Sequence, residues 1–263
     1  MRWVAVLVVS AVGVALGAIG LLLLRDDGPG ELLPDLQPAV PTQVEIVEEG
    51  DSYGLVFVSA VDNVGRGPLL IAGKRQGRDH PAMSVQQLVR RTDGSTRSRS
   101  VPGEIRLAAP ESDAGWQLLD FAIYELRSAV DGKLVQPEVP LGFCLADRYD
   151  TADESELAGE PERPVWIDRC GGADPGLLEL RAGISPGFGT FAEARGDDQL
   201  VDVTNVPAGR YLLVQRANPG RALEESDYEN NAASVLIQLR RAGVIPSVRV
   251  LASCPDADTC APG

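Results

Sequence analysis

The chain has 263 residues, of which 44% are hydrophobic and only 5% aromatic, and it carries a formal net charge of −14 with a single histidine. This acidic balance argues against binding to nucleic acid and against docking onto anionic lipid, because both surfaces repel negative charge. The charge suits cations or basic partners, although an acidic surface kept for solubility is the simpler explanation.

An uncharged apolar run extends from Trp3 to Leu24 near the start of the chain. At 1.5 Å per residue, a helix of this length crosses a bilayer core of about 30 Å. A cleaved secretory signal has a shorter apolar region of about 7–15 residues, followed by a small-residue cleavage site. Residues 1–25 therefore predict an uncleaved single-pass anchor in the cell membrane, with the rest of the chain outside the cytoplasm. A cleaved signal and a secreted protein are the alternative.

Residues 26–41, which are punctuated by Pro and Gly, predict a tether, and residues 42–263 predict one domain. Tyr211, Leu213 and Gln215 alternate with their neighbours in the period-two pattern of a sheet strand. One helix is predicted from Met83 to Arg90, because its apolar residues would share a face. Strands are predicted over Gln43–Glu48, Leu55–Asp62, Leu69–Ala72, Gln117–Leu126, Trp166–Arg169, Leu200–Val203, Gly209–Ala217, Ser234–Arg240 and Ser247–Leu251.

Several short blocks follow one another along the domain. They are Leu33-Pro-Asp-Leu36, Trp116–Leu126 (WQLLDFAIYEL), Leu141–Asp147 (LGFCLAD), Gly183–Gly187 (GISPG), Val201–Leu212 and Glu225–Asn231 (ESDYENN). In this order and spacing the chain resembles the lysyl oxidase family over most of its length beyond residue 30. Leu55–Pro68 also looks like the hairpin signature of immunoglobulin-like adhesion modules. The resemblance implies an all-β fold, an antiparallel β-sandwich with an immunoglobulin-like core and long loops.

The resemblance also implies a copper site, which this sequence does not supply. Where the family has three histidines, this chain has Asp113, Gly115 and Gln117. Copper(II) in such a site needs several imidazole nitrogens in a tetragonal arrangement, which a glycine and an amide cannot provide. The one histidine, His80, lies far from this block and is interpreted as an exposed loop residue. We therefore expect no bound copper.

The second catalytic requirement of the family is a quinone made from a Lys and a Tyr, whose carbonyl forms a Schiff base with the substrate amine. The matching positions here are Pro140 and Ala192. Phe191 carries no hydroxyl to oxidise, and Lys133 could be used only if the alignment slipped by several residues. We therefore expect no quinone and no catalytic residues.

A structural calcium is a further implication of the resemblance, and its motifs are intact here. The ion would join the N-terminal Pro-Asp-Leu segment to the ESDYENN segment through six oxygen-bearing groups, a number that calcium accepts. An ordinary turn, with Asp and Asn bonded to nearby backbone, is the alternative. The implied ligands are Asp35, the carbonyl of Leu36, Glu225, Asp227, Asn230 and Asn231.

The four cysteines, Cys144, Cys170, Cys254 and Cys260, form no Cys-x-x-Cys metal pair. The short spacing of Cys254 and Cys260 suggests a local disulfide, and Cys144–Cys170 would match a bridge that the family resemblance implies. Three pairings are possible for four cysteines, and free buried thiols are the alternative. Two bridges would agree with an oxidising compartment.

Two functions follow from these observations. The first is a membrane-tethered, extracytoplasmic lysyl oxidase-like domain that has lost catalysis and binds a basic or envelope protein partner or stabilises an assembly. The second is an active copper- and quinone-dependent amine oxidase acting on protein lysines. Because the histidine cluster is missing, the sequence favours the first.

Overall fold

The computed structural model describes residues 29–108, 115–151, 157–172, 174–193 and 200–260. These residues form antiparallel sheets and contain no α-helix, so the prediction of an all-β fold is confirmed. The predicted anchor, residues 1–25, lies outside them. The strands are β1 (Glu31–Leu32), β2 (Leu36–Pro38), β3 (Thr42–Glu49), β4 (Ser52–Asn63), β5 (Leu69–Lys74), β6 (Ala82–Arg91), β7 (Thr96–Leu107), β8 (Trp116–Ser128), β9 (Val139–Phe143), β10 (Tyr149–Asp150), β11 (Glu179–Ile184), β12 (Phe188–Glu193), β13 (Val201–Asp202), β14 (Gly209–Ala217), β15 (Ala232–Ala242) and β16 (Ile245–Cys254).

The strands belong to two sheets. The larger has ten strands in the order β11-β5-β6-β7-β8-β14-β15-β16, with β1 beside β6 and β9 beside β8. The smaller has six strands in the order β10-β12-β4-β13, with β2 and β3 also paired to β4. The long strand β4 therefore organises the smaller sheet, because four other strands pair with it.

One hydrophobic core lies between the two sheets. The rings of Phe57 in β4 and Tyr124 in β8 meet edge to face at 4.4 Å, which joins the smaller sheet to the larger. The side chain of Gln215 in β14 donates to the carbonyl of Ala60 in β4 at 3.0 Å. Met83 and Val85 of β6 both belong to this core and lie two residues apart, as the period of a strand requires.

The predicted helix from Met83 to Arg90 is wrong, because this segment lies within strand β6. Met83, Val85, Gln87 and Val89 are buried at every second position, which is the period of a strand. The polar Gln87 obscured this pattern in the sequence. Its amide is buried because it both donates to and accepts from the backbone of Glu224, at 2.7 and 2.8 Å.

The predicted strand Trp166–Arg169 is also wrong, because these residues form an irregular segment. The buried carboxylate of Asp147 accepts the backbone N–H groups of Val165 and Trp166, at 2.8 and 3.1 Å. A side chain thus supplies the bonds that a neighbouring strand would otherwise provide.

Residues predicted as a tether include two sheet strands. β1 pairs with β6, and β2 pairs with β4. Asn63, at the end of β4, accepts the N–H of Asp35 at 3.0 Å and donates to the carbonyl of Gly67 at 3.0 Å. A Cβ atom on Gly67 would lie 2.0 Å from the carbonyl oxygen of Leu32, so glycine is required where the N-terminal segment crosses this hairpin. None of the described segments forms a helix of the length and apolarity that crossing a bilayer requires.

Candidate functional site

Two of the three positions that match the family's copper ligands, Gly115 and Gln117, lie at the start of β8. Asp113 is outside the described residues, and Gly115 has a left-handed backbone with φ of 65°. A Cβ atom on Gly115 would lie 2.4 Å from the carbonyl oxygen of Arg169 and 3.0 Å from that of Cys170. The neighbouring N–H of Trp116 donates to the same Cys170 carbonyl at 3.0 Å. The backbone therefore leaves no room for a Cβ atom, and so for a histidine side chain, at residue 115.

Gln117 is half-buried in β8 and offers only an amide at the third matching position. Within the described residues, no group of three or more His, Cys, Asp or Glu side chains is arranged to hold a metal ion. The implied calcium set includes three such carboxylates, Asp35, Glu225 and Asp227, and the structure does not bring them together as a metal-binding group.

The positions that match the quinone residues lie in different sheets. Pro140 is exposed in β9 opposite Ile123, whereas Ala192 lies in β12 opposite the buried Ser59. Neither side chain carries an amine or a phenol. Lys133 is 81% exposed and forms an ion pair with Asp131 at 2.9 Å, in a turn that follows β8.

Both predicted disulfides are present. Cys144 and Cys170 are joined with a Cα–Cα distance of 5.6 Å, and Cys254 and Cys260 with a distance of 5.5 Å. The first bridge fixes the segment whose carbonyl groups pack on Gly115. The two bridges fit an oxidising, extracytoplasmic compartment.

The structure brings the N-terminal segment and the ESDYENN segment together. The N–H of Ser226 donates to the carbonyl of Pro34 at 2.8 Å, and the N–H of Leu36 donates to Glu225 Oε2 at 3.0 Å. Asn230 Nδ2 donates to Asp35 Oδ1 at 2.8 Å. Residues between 189 and 195 positions apart thereby form one polar cluster.

Glu225 is the centre of this cluster. Its Oε1 accepts the amides of Asn218 and Asn231, at 2.6 and 2.7 Å, and its side chain is almost fully buried. Burial raises the pKa of Glu225 to about 7, and the nearby carboxylate of Asp35 adds to the increase, while the donated hydrogen bonds oppose it. Asn218 was not predicted from the sequence; its place in an Ala-Asn-Pro-Gly turn with φ of 44° was the available signal.

The six implied calcium ligands fit a cation in part. The amide oxygens of Asn230 and Asn231 are buried and have no hydrogen-bond partner within the described residues, so both could turn towards an ion. Asp227 instead accepts the N–H of Glu229 at 2.8 Å, which is the predicted alternative of an ordinary turn. Glu225 already accepts three donors. Binding of calcium would therefore require Asp227 and Glu225 to exchange these bonds for the ion.

These features define an all-β, disulfide-bonded domain that is closed by a polar cluster between its first strands and a C-terminal Asn-rich segment. The lysyl oxidase family model matches residues 178–247. Human and bovine lysyl oxidase homolog 1 are each 31% identical to the chain over 112 residues, which is 43% of this chain.

The chain is therefore similar to lysyl oxidases over these stretches. The matched stretch spans only 17% and 16% of the lengths of the human and bovine relatives. Their activities consequently bear on this chain only as proposals.

Proposed function

We propose that this chain is a lysyl oxidase-like β-sandwich domain that has lost catalysis and acts outside the cytoplasm as a binding or structural module. Two antiparallel sheets that share one core support the sandwich architecture. The net charge of −14 favours a basic protein partner, including one in the cell envelope, over nucleic acid.

The observation that carries this proposal is the absence of space at Gly115. Its Cβ position overlaps the carbonyl oxygen of Arg169, so a metal-binding side chain could be placed there only if the backbone moved. Pro140 and Ala192 offer no group that could form the family's quinone, and Gln117 offers no imidazole. These are four independent departures from the chemistry that copper-dependent amine oxidation needs.

The alternative is a copper-dependent amine oxidase that uses other residues, and the similarity to lysyl oxidases is the reason to test it. The full chain would be produced with copper and assayed for bound metal, for a carbonyl cofactor and for hydrogen peroxide released from a primary amine. A lysyl oxidase assayed in parallel serves as the control. We expect none of the three signals from this chain; copper-dependent peroxide release would overturn the proposal.

A structural calcium ion is part of the same proposal. The residues that would hold it are Asp35, the Leu36 carbonyl, Glu225, Asp227, Asn230 and Asn231. The partnerless amide oxygens of Asn230 and Asn231 support this assignment. The ion would neutralise three carboxylates and fix the first strands to the C-terminal segment.

The membrane tether is proposed from the apolar run Trp3–Leu24 and is supported by the two disulfides, which fit an exported domain. Protease added to intact cells should degrade the domain, whereas the untreated protein should sediment with membranes. A soluble species that begins near Ala18 would instead show a cleaved signal.

A further inference from the structure

Three side chains form a cluster on the outer face of the smaller sheet, which we call the Asp62 cluster: Asp62 in β4, Tyr149 in β10 and Phe191 in β12. Gly189 lies opposite both Asp62 and Tyr149 in the register of the sheet. Phe191 is two residues beyond Gly189 and therefore shares its face. The three side chains thus lie together although they are far apart in sequence.

The Asp62 cluster is separate from the positions that match the family's catalytic residues. Ala192 follows Phe191 directly and Ser59 is three residues from Asp62, so both face the other side of the sheet. Ser59 is fully buried there. Ala192 packs against the hydrophobic core, whereas Phe191 is 45% exposed. The sheet itself therefore lies between the cluster and the former quinone position.

The contacts within the cluster are specific. The hydroxyl of Tyr149 donates a hydrogen bond to Asp62 Oδ1. The ring of Tyr149 stacks on the ring of Phe191, with centroids 6.4 Å apart and planes inclined by 29°. A Cβ atom on Gly189 would lie 2.3 Å from Tyr149 Cζ and 2.4 Å from Asp62 Oδ1. The side chains of Tyr149 and Asp62 therefore pack directly on the backbone of Gly189.

Within the described part of the chain, no Lys, Arg or His forms an ion pair with the carboxylate of Asp62, and Tyr149 is the one side chain there that donates to it. Burial raises the pKa of Asp62 above its usual range, while the Tyr149 hydrogen bond opposes this increase. Burial and the charge of Asp62 also raise the pKa of Tyr149, which keeps its hydroxyl protonated as a donor.

We propose that the Asp62 cluster binds the cationic side chain of a basic partner protein, with the Asp62 carboxylate pairing with the cation and the exposed Phe191 ring covering it. A carboxylate beside an aromatic face suits a guanidinium or an ammonium group, because the first supplies charge and the second a cation–π contact. This inference rests on the proposed role as a binding module and specifies the chemistry that the partner presents.

The test is an NMR titration of the isotope-labelled full chain in neutral detergent. The probes are N-acetyl-arginine amide, N-acetyl-lysine amide and, as a neutral control, N-acetyl-citrulline amide. We expect the arginine or the lysine probe to shift the amide resonances of Asp62, Gly189 and Phe191, and the citrulline probe to leave them in place. Equal shifts with citrulline, or no shift with either cation, would overturn the proposal.

Two variants and a matched control locate the binding. Asp62→Asn keeps the shape of the side chain and removes its charge, and should weaken binding by about tenfold, as expected for loss of a charge-assisted bond. Phe191→Ser should weaken it by about threefold. Asp150→Asn makes the same change in net charge at an exposed neighbour opposite Phe188, and should change affinity by less than about twofold. Equal losses in Asp62→Asn and Asp150→Asn would mean that only overall charge matters.

The outcome is independent of the oxidase assay. Copper-dependent amine oxidation would overturn the non-catalytic role, yet a titration that depends on Asp62 would stand. An inactive, copper-free chain that does not bind the cationic probes would overturn the cation site alone.

Discussion

The carbonyl oxygen of Arg169 lies 2.4 Å from the point that a Cβ atom on Gly115 would occupy. The family resemblance implies a copper-binding histidine at the position of Gly115, and Arg169 belongs to the segment that the Cys144–Cys170 bridge holds in place. In this domain, residue 115 forms a close packing contact between two backbone segments.

Gly115→Ala should destabilise the domain by about 2–4 kcal/mol, because the new methyl group overlaps a carbonyl oxygen and the backbone is left-handed. Gly132→Ala is the matched control: its φ of 70° imposes a similar backbone cost, but no atom lies within 4 Å of the new methyl group. Its loss should be about 1–2 kcal/mol. Urea denaturation of both variants measures the difference, and equal losses would show that crowding at Gly115 is unimportant.

The stability of the calcium-free domain should fall as pH rises from about 4.5 to about 7. Burial raises the pKa of Glu225 from 4.5 to about 7, so the folded state binds this proton more tightly than the unfolded chain. The stabilisation from protonated Glu225 is complete below the pKa of the unfolded chain and is lost as pH rises through the pKa of the folded state. We expect a loss on the order of 2–3 kcal/mol.

Glu225→Gln removes this proton and should remove its part of the pH dependence. Unfolding in urea would be followed in chelator at several pH values for the wild type and the variant, since other titrating groups contribute equally to both. A difference between the two curves that does not change with pH would contradict the assignment to Glu225.

Calcium should raise the melting temperature of chelator-stripped protein by about 5–10 °C when its concentration is about 100 times the dissociation constant. Asp227→Ala should abolish the response, whereas Glu229→Ala, an exposed neighbour outside the implied ligand set, should preserve it. Calorimetry or fluorescence measures the shift. If stripped and calcium-loaded protein melt alike, the ESDYENN segment forms only a turn.

Cys144→Ser should lower stability by about 3 kcal/mol and Cys254→Ser by about 2 kcal/mol, because the first bridge closes the longer loop, with a separation of 26 residues against 6. The Cys144 variant should also expose a reactive thiol at Cys170. Melting curves and thiol titration test both statements. Unchanged melting, together with thiols that react in the unreduced wild type, would contradict them.

Strands with a clear alternation of apolar and polar residues could be predicted from the sequence. The predicted strand Gly209–Ala217 has the same bounds as β14, and the predicted Gln117–Leu126 lies within β8. β7 is not predicted, because it is rich in Arg and Ser and has few apolar residues; its buried positions include Val101 and Ile105. Its hydrogen bonds to β6 and β8 stabilise it where local preference does not.

The polar cluster at Glu225 was anticipated only through the family motifs, and its Asn218 was not anticipated at all. The Asp62 cluster carried no signal in the sequence. Tyr149 lies in a strand of two residues, and only the pairing of β10 with β12 places its ring beside Phe191. Such a contact depends on strand register, which a single sequence does not reveal.

The hydrogen bonds between Pro34 and Ser226 and between Leu36 and Glu225 also limit when folding of the domain can be completed. Synthesis delivers a chain from its N-terminus, so β1 and β2 can pair with β6 and β4 early, whereas their bonds to the C-terminal segment form only after residue 226 has been made. A transcript or a proteolytic cut that ends before residue 225 would leave β1 and β2 without these bonds. Formation of this contact therefore shows that synthesis has passed residue 226.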